Sequence, residues 1–132
     1  MSYHFSTTIN NPDFSLVRKK TQEALLSEGF GVLTEIDIQA VMKAKLGKDY
    51  PEFVILGACN PNYADKVLSV DHHMSAMLPC NVSIKRINEN QIEVSAIDPI
   101  AAMAGLGIES IKPLAEEVAG KLRRMVSALE SK

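Results

Sequence analysis

The sequence predicts a single α+β domain over residues 1–132, and three observations support this prediction. A chain of 132 residues suits one domain with its own core and is short for two. Along the chain, segments with the apolar–polar alternation of strands are followed by segments with helical periodicity. In the second half, two alternating segments separated by Asn88-Glu89-Asn90 predict a hairpin. The predicted element order is β-α-β-α-β-α-β-β-α.

The first strand and the first helix are predicted from the opening thirty or so residues. Residues 2–9 alternate as a half-buried strand does, with Phe5 on the apolar face and His4 on the polar one. Asn11-Pro12 predicts a helix entrance, because Asn can accept hydrogen bonds from the first free amides and Pro has no amide to leave unpaired. Helical periodicity then continues to Gly29, a typical terminator.

A second strand and a second, shorter helix follow. The strand is expected over residues 30–36, with Val32 and Ile36 on the same face. Asp37 is expected to cap a helix whose apolar residues share one stripe, and Gly47 is expected to end it.

The third strand is predicted to be central in the sheet. Residues 53–59 are apolar at consecutive positions, which indicates that both faces are covered. Gly57 is expected to allow close approach of a neighbouring backbone. Asn60-Pro61 repeats the helix entrance, with Asn60 as the expected cap of a helix that ends near Val70.

The predicted hairpin has a specific register. Lys85 and Glu93 are expected to form an outward cross-strand pair. Counting symmetrically about Glu89 places Cys80 opposite Asp98. Asp98-Pro99 is a third helix entrance of the same kind, and a long amphipathic helix is expected from about residue 110 to the end of the chain.

Composition and charge exclude several classes of function. The formal net charge of -2 and the absence of Trp disfavour nucleic-acid binding, which needs a basic surface or stacking platforms. No apolar run is long enough to span a membrane, so no membrane partner is expected. The first residues lack the pattern of a secretory signal, and a cytoplasmic location is the expectation.

The two cysteines are the main candidates for chemistry. Cys59 ends the central strand one residue before a helix cap, where a partly positive helix end can favour the thiolate. Burial as a small apolar residue is the structural alternative for Cys59 and also for Cys80, which shares a strand face with Val82. If the hairpin register holds, both cysteines and Asp98 lie toward one end of the sheet.

No metal site is expected from the sequence, and no particular cofactor is indicated. The two cysteines are not in a CxxC motif, and the sequence has no CxxC or HxxxH motif that could complete a structural zinc site with them. Asp71, His72 and His73 could supply donor atoms, but adjacent histidines diverge unless the backbone bends between them.

Four motifs occur in order along the chain: Gly29-Phe30-Gly31-Val32-Leu33-Thr34-Glu35-Ile36-Asp37, Gly57-Ala58-Cys59-Asn60-Pro61, Leu78-Pro79-Cys80-Asn81 and Ile97-Asp98-Pro99. On these motifs, most of the chain resembles the domain of unknown function 302 family. The resemblance implies a compact α+β fold with one antiparallel sheet and helices packed against it. It also implies a homodimer, and it implies no established reaction.

Three functions remain open at the level of sequence. The first is a homodimeric ligand-binding domain with a site formed by Cys59, Asn60, Cys80, Asn81 and Asp98. The second is a thiol-dependent redox protein or enzyme that uses Cys59, with Cys80 as resolving partner or Asp98 as orienting group. The third is a dimeric interaction module without a catalytic site. Whether the protein is an enzyme is left undecided by the sequence.

Overall fold

The computed structural model describes residues 2–130. Within them the sheet has five strands, β1 (His4–Ile9), β2 (Gly31–Asp37), β3 (Phe53–Cys59), β4 (Cys80–Asn88) and β5 (Gln91–Ile97). The α-helices are α1 (Phe14–Ser27), α2 (Ile38–Leu46), α3 (Pro61–Val70), α4 (Pro99–Met103) and α5 (Lys112–Leu129). Short 3₁₀ segments cover His72–Met77, Ala104–Leu106 and Glu109–Ile111. No helix in this described part combines the length and apolar character that crossing a membrane requires.

The strands pair antiparallel throughout, in the spatial order β1-β5-β4-β3-β2. The predicted α+β fold with an antiparallel sheet is therefore confirmed, and the predicted order of elements holds, with α4 as an additional short helix. Met1, Ser131 and Lys132 belong to the predicted domain, but they lie outside the described residues, as does the end of the predicted final helix.

The core lies between one face of the sheet and helices α1 and α5. Leu56, Ile84 and Ile92 on that face are fully buried, and they belong to one apolar cluster with Leu25 of α1 and Leu122 of α5. Burying one such side chain contributes about 1.5–3 kcal/mol. This cluster therefore fixes both helices against the sheet.

The opposite face of the sheet is polar toward β1. The hydroxyl groups of Ser6 and Ser95 lie 2.7 Å apart across the β1–β5 pair. Nδ1 of His4 is 2.6 Å from the Ser6 hydroxyl, and His4 is exposed, as the alternation of the first strand predicts.

The start of α1 differs from the prediction. Asp13, not Asn11, caps the helix, because its Oδ1 accepts a hydrogen bond from the amide of Leu16 at 3.1 Å. Oδ1 of Asn11 instead accepts from the amide of Asp13 at 2.9 Å, so Asn11 forms the turn that precedes the cap. The Asn-Pro pair marks the entrance to the helix, but the cap lies two residues after the predicted position.

The caps predicted at two aspartates are confirmed. Oδ1 of Asp37 accepts a hydrogen bond from the amide of Ala40 at 3.0 Å, and α2 ends at Gly47, which has a left-handed backbone. Oδ1 of Asp98 accepts from the amide of Ile100 at 3.0 Å at the start of α4.

The prediction that Val32 and Ile36 share a face of β2 is wrong. The β2–β3 register shifts between Val32 and Thr34, leaving Leu33 as an extra residue. Val32 consequently pairs with Ala58, whose side chain faces the core, whereas Ile36 lies on the outer face and is exposed. A bulge of this kind inverts the alternation of every residue after it.

The hairpin register agrees with the count about Glu89 over most of its length. Lys85 pairs with Glu93 as predicted, and the pairing extends to Val82 with Ala96. Near the turn the register shifts between Arg86 and Asn88.

Candidate functional site

A small apolar cavity lies where β3, α3 and the segment entering β4 meet. Its volume is about 40 Å³, and its wall includes Cys59, Asn60, Tyr63, Leu78, Cys80 and Met103. Helices α4 and α5 close its far side with apolar side chains. Part of its wall, including Phe30, Ala58 and Val118, belongs to the core cluster.

Both cysteines line this cavity. Cys59 is the last residue of β3 and pairs with Gly31, whereas Cys80 is the first residue of β4 and pairs with Ala58. Each is a free cysteine of intermediate burial. The antiparallel β3–β4 pairing thus brings two residues that are far apart in sequence to one end of the sheet.

The Cys80 thiol is held in its protonated form. Burial raises the pKa of Cys80 to about 11, and the neighbouring Cys59 contributes in the same direction. At neutral pH the Cys80 sulfur is therefore a weakly polar, uncharged group in an apolar wall. Such a group packs against a ligand more readily than it attacks one.

Asn60 has a role that the sequence did not indicate. Its backbone stands at the cap position of α3, but its side chain makes no capping hydrogen bond, which corrects the expectation of a cap. Asn60 is buried, and its Nδ2 donates to the backbone carbonyl of Glu28 at 3.4 Å. The amide therefore connects the end of β3 to the end of α1 beside the cavity.

A glycine is required at position 57 because side chains from neighbouring segments pack directly against β3 there. A Cβ atom at Gly57 would overlap with Oγ1 of Thr34 and would lie 2.8 Å from Cγ of Pro79. The close approach predicted at this glycine is present, but it involves these side chains and not a neighbouring backbone. Because Pro79 lines the cavity, the small size of Gly57 helps to set the cavity wall.

The other two predicted site residues lie outside the cavity wall. Asn81 is exposed on β4, where it pairs with Gly57. The carboxylate of Asp98 serves as the cap of α4, and it is the following residue, Pro99, that lines the cavity. The structure thus brings together Cys59, Asn60 and Cys80, but not Asn81 and Asp98.

Tyr63 and Met103 were missed as site residues. The spacing of Tyr63 indicated only the buried face of a helix, and Met103 lay in a short apolar segment. Their partners across the cavity come from distant parts of the chain. Tyr63 also borders an open, polar depression that shares Asn60 with the cavity. Lys66 and Lys121 flank it there, with their Nζ atoms 5.6 and 6.0 Å from the centre of the Tyr63 ring.

The fold and this cavity define a small α+β protein with helices packed on an antiparallel five-stranded sheet. The chain belongs to the family described as domain of unknown function DUF302, whose model matches residues 5–129. A comparison with curated proteins gives no match.

A solved structure has the same fold. It is the crystal structure of an uncharacterized conserved DUF302 protein from Bacillus stearothermophilus, with a TM-score of 0.89 and 22% sequence identity. The match covers 98% of this chain and 100% of that chain. At this identity the likeness concerns the fold.

Proposed function

We propose that this protein is a ligand-binding domain whose site is the cavity lined by Cys59 and Cys80. The observation that carries the proposal is that two strand ends and a buried amide, that of Asn60, meet at one preformed apolar cavity. Preformed apolar cavities with a few polar groups are typical of small-molecule sites.

The size of the cavity limits the ligand. A cavity of about 40 Å³ is several times smaller than the roughly 150 Å³ cavity that accommodates benzene. The buried part of the ligand is therefore an apolar group of only a few heavy atoms. The uncharged Cys80 thiol suits contact with such a group.

The adjoining depression supports an extension of the proposed ligand outside the cavity. Asn60 and Tyr63 border both the cavity and the depression, and Lys66 and Lys121 line the depression. We infer an amphipathic ligand with a short apolar end in the cavity and a polar end near these two lysines.

The thiol-dependent alternative is less well supported. A thiol–disulfide reaction proceeds through a thiolate, and the raised pKa of Cys80 makes it a poor resolving partner. Treatment with mild peroxide followed by mass spectrometry distinguishes the two functions. A ligand-binding domain is expected to show neither a Cys59–Cys80 disulfide nor a sulfenate at Cys59.

The ligand site is tested by amide chemical shifts in the ¹H–¹⁵N spectrum during titration with carboxylates and alcohols of two to five carbons. Saturable shifts are expected at Cys59, Cys80 and Ala64. Ala64→Leu, which fills the cavity from α3, is expected to weaken binding at least about tenfold, equivalent to about 1.4 kcal/mol. Asn81→Ala is the control and is expected to leave binding unchanged. Chemical-shift changes confined to residues outside the cavity, or binding that Ala64→Leu does not affect, would contradict the proposal.

We also propose that the protein is a homodimer in which the second copy packs on β2 and α2. Helix α2 buries none of its residues. Large apolar side chains are exposed along this segment at Leu33 (67%), Ile36 (47%), Val41 (39%) and Leu46 (63%). Exposed apolar groups clustered on one segment are typical of an interaction surface.

Light scattering after size exclusion tests the dimer. Leu33→Asp with Leu46→Asp is expected to yield a monomer, because charges in an apolar interface lose hydration without gaining partners. Leu26→Asp is the matched control, since Leu26 is equally exposed (68%) but lies on α1. A wild-type monomer at every concentration would exclude this assembly.

A further inference from the structure

The side chains of the adjacent residues His72 and His73 do not diverge, contrary to expectation, and both residues lie at the start of one 3₁₀ segment. Asp71 has an extended conformation, with φ -157° and ψ 112°, and the chain then enters the 3₁₀ segment His72–Met77. As a result the two imidazole rings lie side by side, with centroids 4.1 Å apart and planes inclined by 33°.

Asp71 is held in place by the same turn. Its Oδ1 accepts hydrogen bonds from the amide of His73 and from Nδ1 of His73, each at 2.9 Å. Three residues after Asp71, Met74 is buried against Val67 and Ile111, which anchors the segment to the fold. The three polar side chains therefore project from a fixed turn.

We propose that Asp71, His72 and His73 form a binding site for a divalent transition-metal ion. Each residue offers one donor atom, and these atoms lie within 4.8 Å of one another. Metal–ligand bonds of about 2.0–2.2 Å require these atoms to move closer together, and we expect metal binding to reorient the two exposed imidazoles. This site is distinct from the cavity.

The donor set determines the class of metal. Two imidazoles and one carboxylate suit Zn²⁺, Ni²⁺ and Cu²⁺ better than Mg²⁺ or Ca²⁺, which prefer oxygen ligands. Three protein ligands leave a coordination position for water or for another molecule.

The proposal is tested by calorimetric titration of Zn²⁺ into untagged full-length protein at about pH 7.5, because protons compete with metal ions for their ligands at lower pH. Both cysteines are replaced by alanine in every sample, so that thiols do not compete. One Zn²⁺ per chain is expected to bind. His72→Gln and His73→Gln are each expected to weaken binding at least about tenfold. Asp71→Asn is expected to weaken it as well, although Asn can still cap the turn.

His4→Gln is the matched control, because the chain has three histidines and His4 is exposed on β1, hydrogen-bonded to Ser6. This variant is expected to bind Zn²⁺ as the parent does. The proposal is overturned if His72→Gln/His73→Gln binds as tightly as the parent, or if the parent shows no saturation up to about 1 mM Zn²⁺.

A second measurement needs no substitution at the site. In a ring-nitrogen NMR spectrum of the parent, Zn²⁺ is expected to shift the signals of His72 and His73 and to leave those of His4 in place. Unchanged His72 and His73 signals at saturating Zn²⁺ would also overturn the proposal.

Discussion

The side-chain amide of Asn60 donates a hydrogen bond to the backbone carbonyl of Glu28, with 3.4 Å between the two atoms. The bond links the end of β3 to the end of α1 across 32 positions of sequence. Gly29, which follows Glu28 in the chain, has a positive φ of 86°. A Cβ atom at Gly29 would lie 2.9 Å from Nδ2 of Asn60. The lack of a side chain at Gly29 therefore leaves the space that the Asn60 amide occupies.

This relationship predicts coupling between two substitutions. Asn60→Ala removes a buried hydrogen bond and is expected to lower the free energy of unfolding by about 1 kcal/mol. Gly29→Ala adds backbone strain and a contact with the amide, and is expected to cost about 1–3 kcal/mol. In the double variant the contact is gone, so urea unfolding is expected to show a combined loss at least about 0.5 kcal/mol smaller than the sum. Strictly additive losses in the free energy of unfolding would refute this steric coupling between Gly29 and Asn60.

Gly57 is predicted to tolerate no side chain. Gly57→Ala overlaps with Thr34 and Pro79 and is expected to destabilise the fold by about 1–3 kcal/mol. Gly31→Ala is the matched control, since a Cβ atom there meets nothing within 4 Å and Gly31 has no positive φ. Thermal or urea unfolding of both variants checks the prediction, and equal stabilities would contradict it.

The buried thiol predicts a loss of stability in alkaline solution. Because the pKa of Cys80 is raised from 9.0 to about 11, the folded state holds the thiol proton more tightly than the unfolded chain does. The resulting stability is complete below about pH 9 and is lost as the pH rises toward 11, with an upper limit of about 2–3 kcal/mol. Urea unfolding from pH 7 to 11 is expected to show a smaller decline for Cys80→Ala than for the wild type. Parallel declines would argue against a buried thiol.

Replacing Arg86 by lysine is expected to lower the stability of the fold. The Arg86 guanidinium donates to Oε1 of Glu52 at 2.8 Å and to the backbone carbonyl of Pro12 at 2.6 Å, joining β4 to the start of α1 and to the entry of β3. A lysine ammonium cannot span both acceptors in this geometry, so Arg86→Lys is expected to cost about 1–2 kcal/mol. Arg124→Lys serves as the control, because the side chain of Arg124 is more exposed and its ion pair in the described part of the chain is with Glu28 alone.

Local signals explain which parts of the fold were predictable. The caps at Asp37 and Asp98 depend on amides two or three residues away, so the sequence around each aspartate contains the information. The hairpin register depends on a short turn and on alternation along both strands, and Lys85 consequently pairs with Glu93 as expected.

Apart from the cap of α1, which the nearby Asp13 provides, the errors arise where a distant residue determines the outcome. Asn60 has the sequence of a cap, but Glu28 provides the acceptor that it uses. The bulge at Leu33 depends on pairing with β3, and no residue near Leu33 indicates it. The cavity itself combines side chains from three helices and two strand ends, so its presence follows from packing and not from any motif.

The bulge at Leu33 also bears on how copies of this chain can meet. Strand β2 is at the edge of the sheet, where unpaired backbone groups can template the addition of another strand. The extra residue interrupts that row of donors and acceptors and twists the strand locally. In the proposed dimer, this interruption favours contact with β2 through side chains over the addition of a further strand, and so disfavours open-ended fibrous growth.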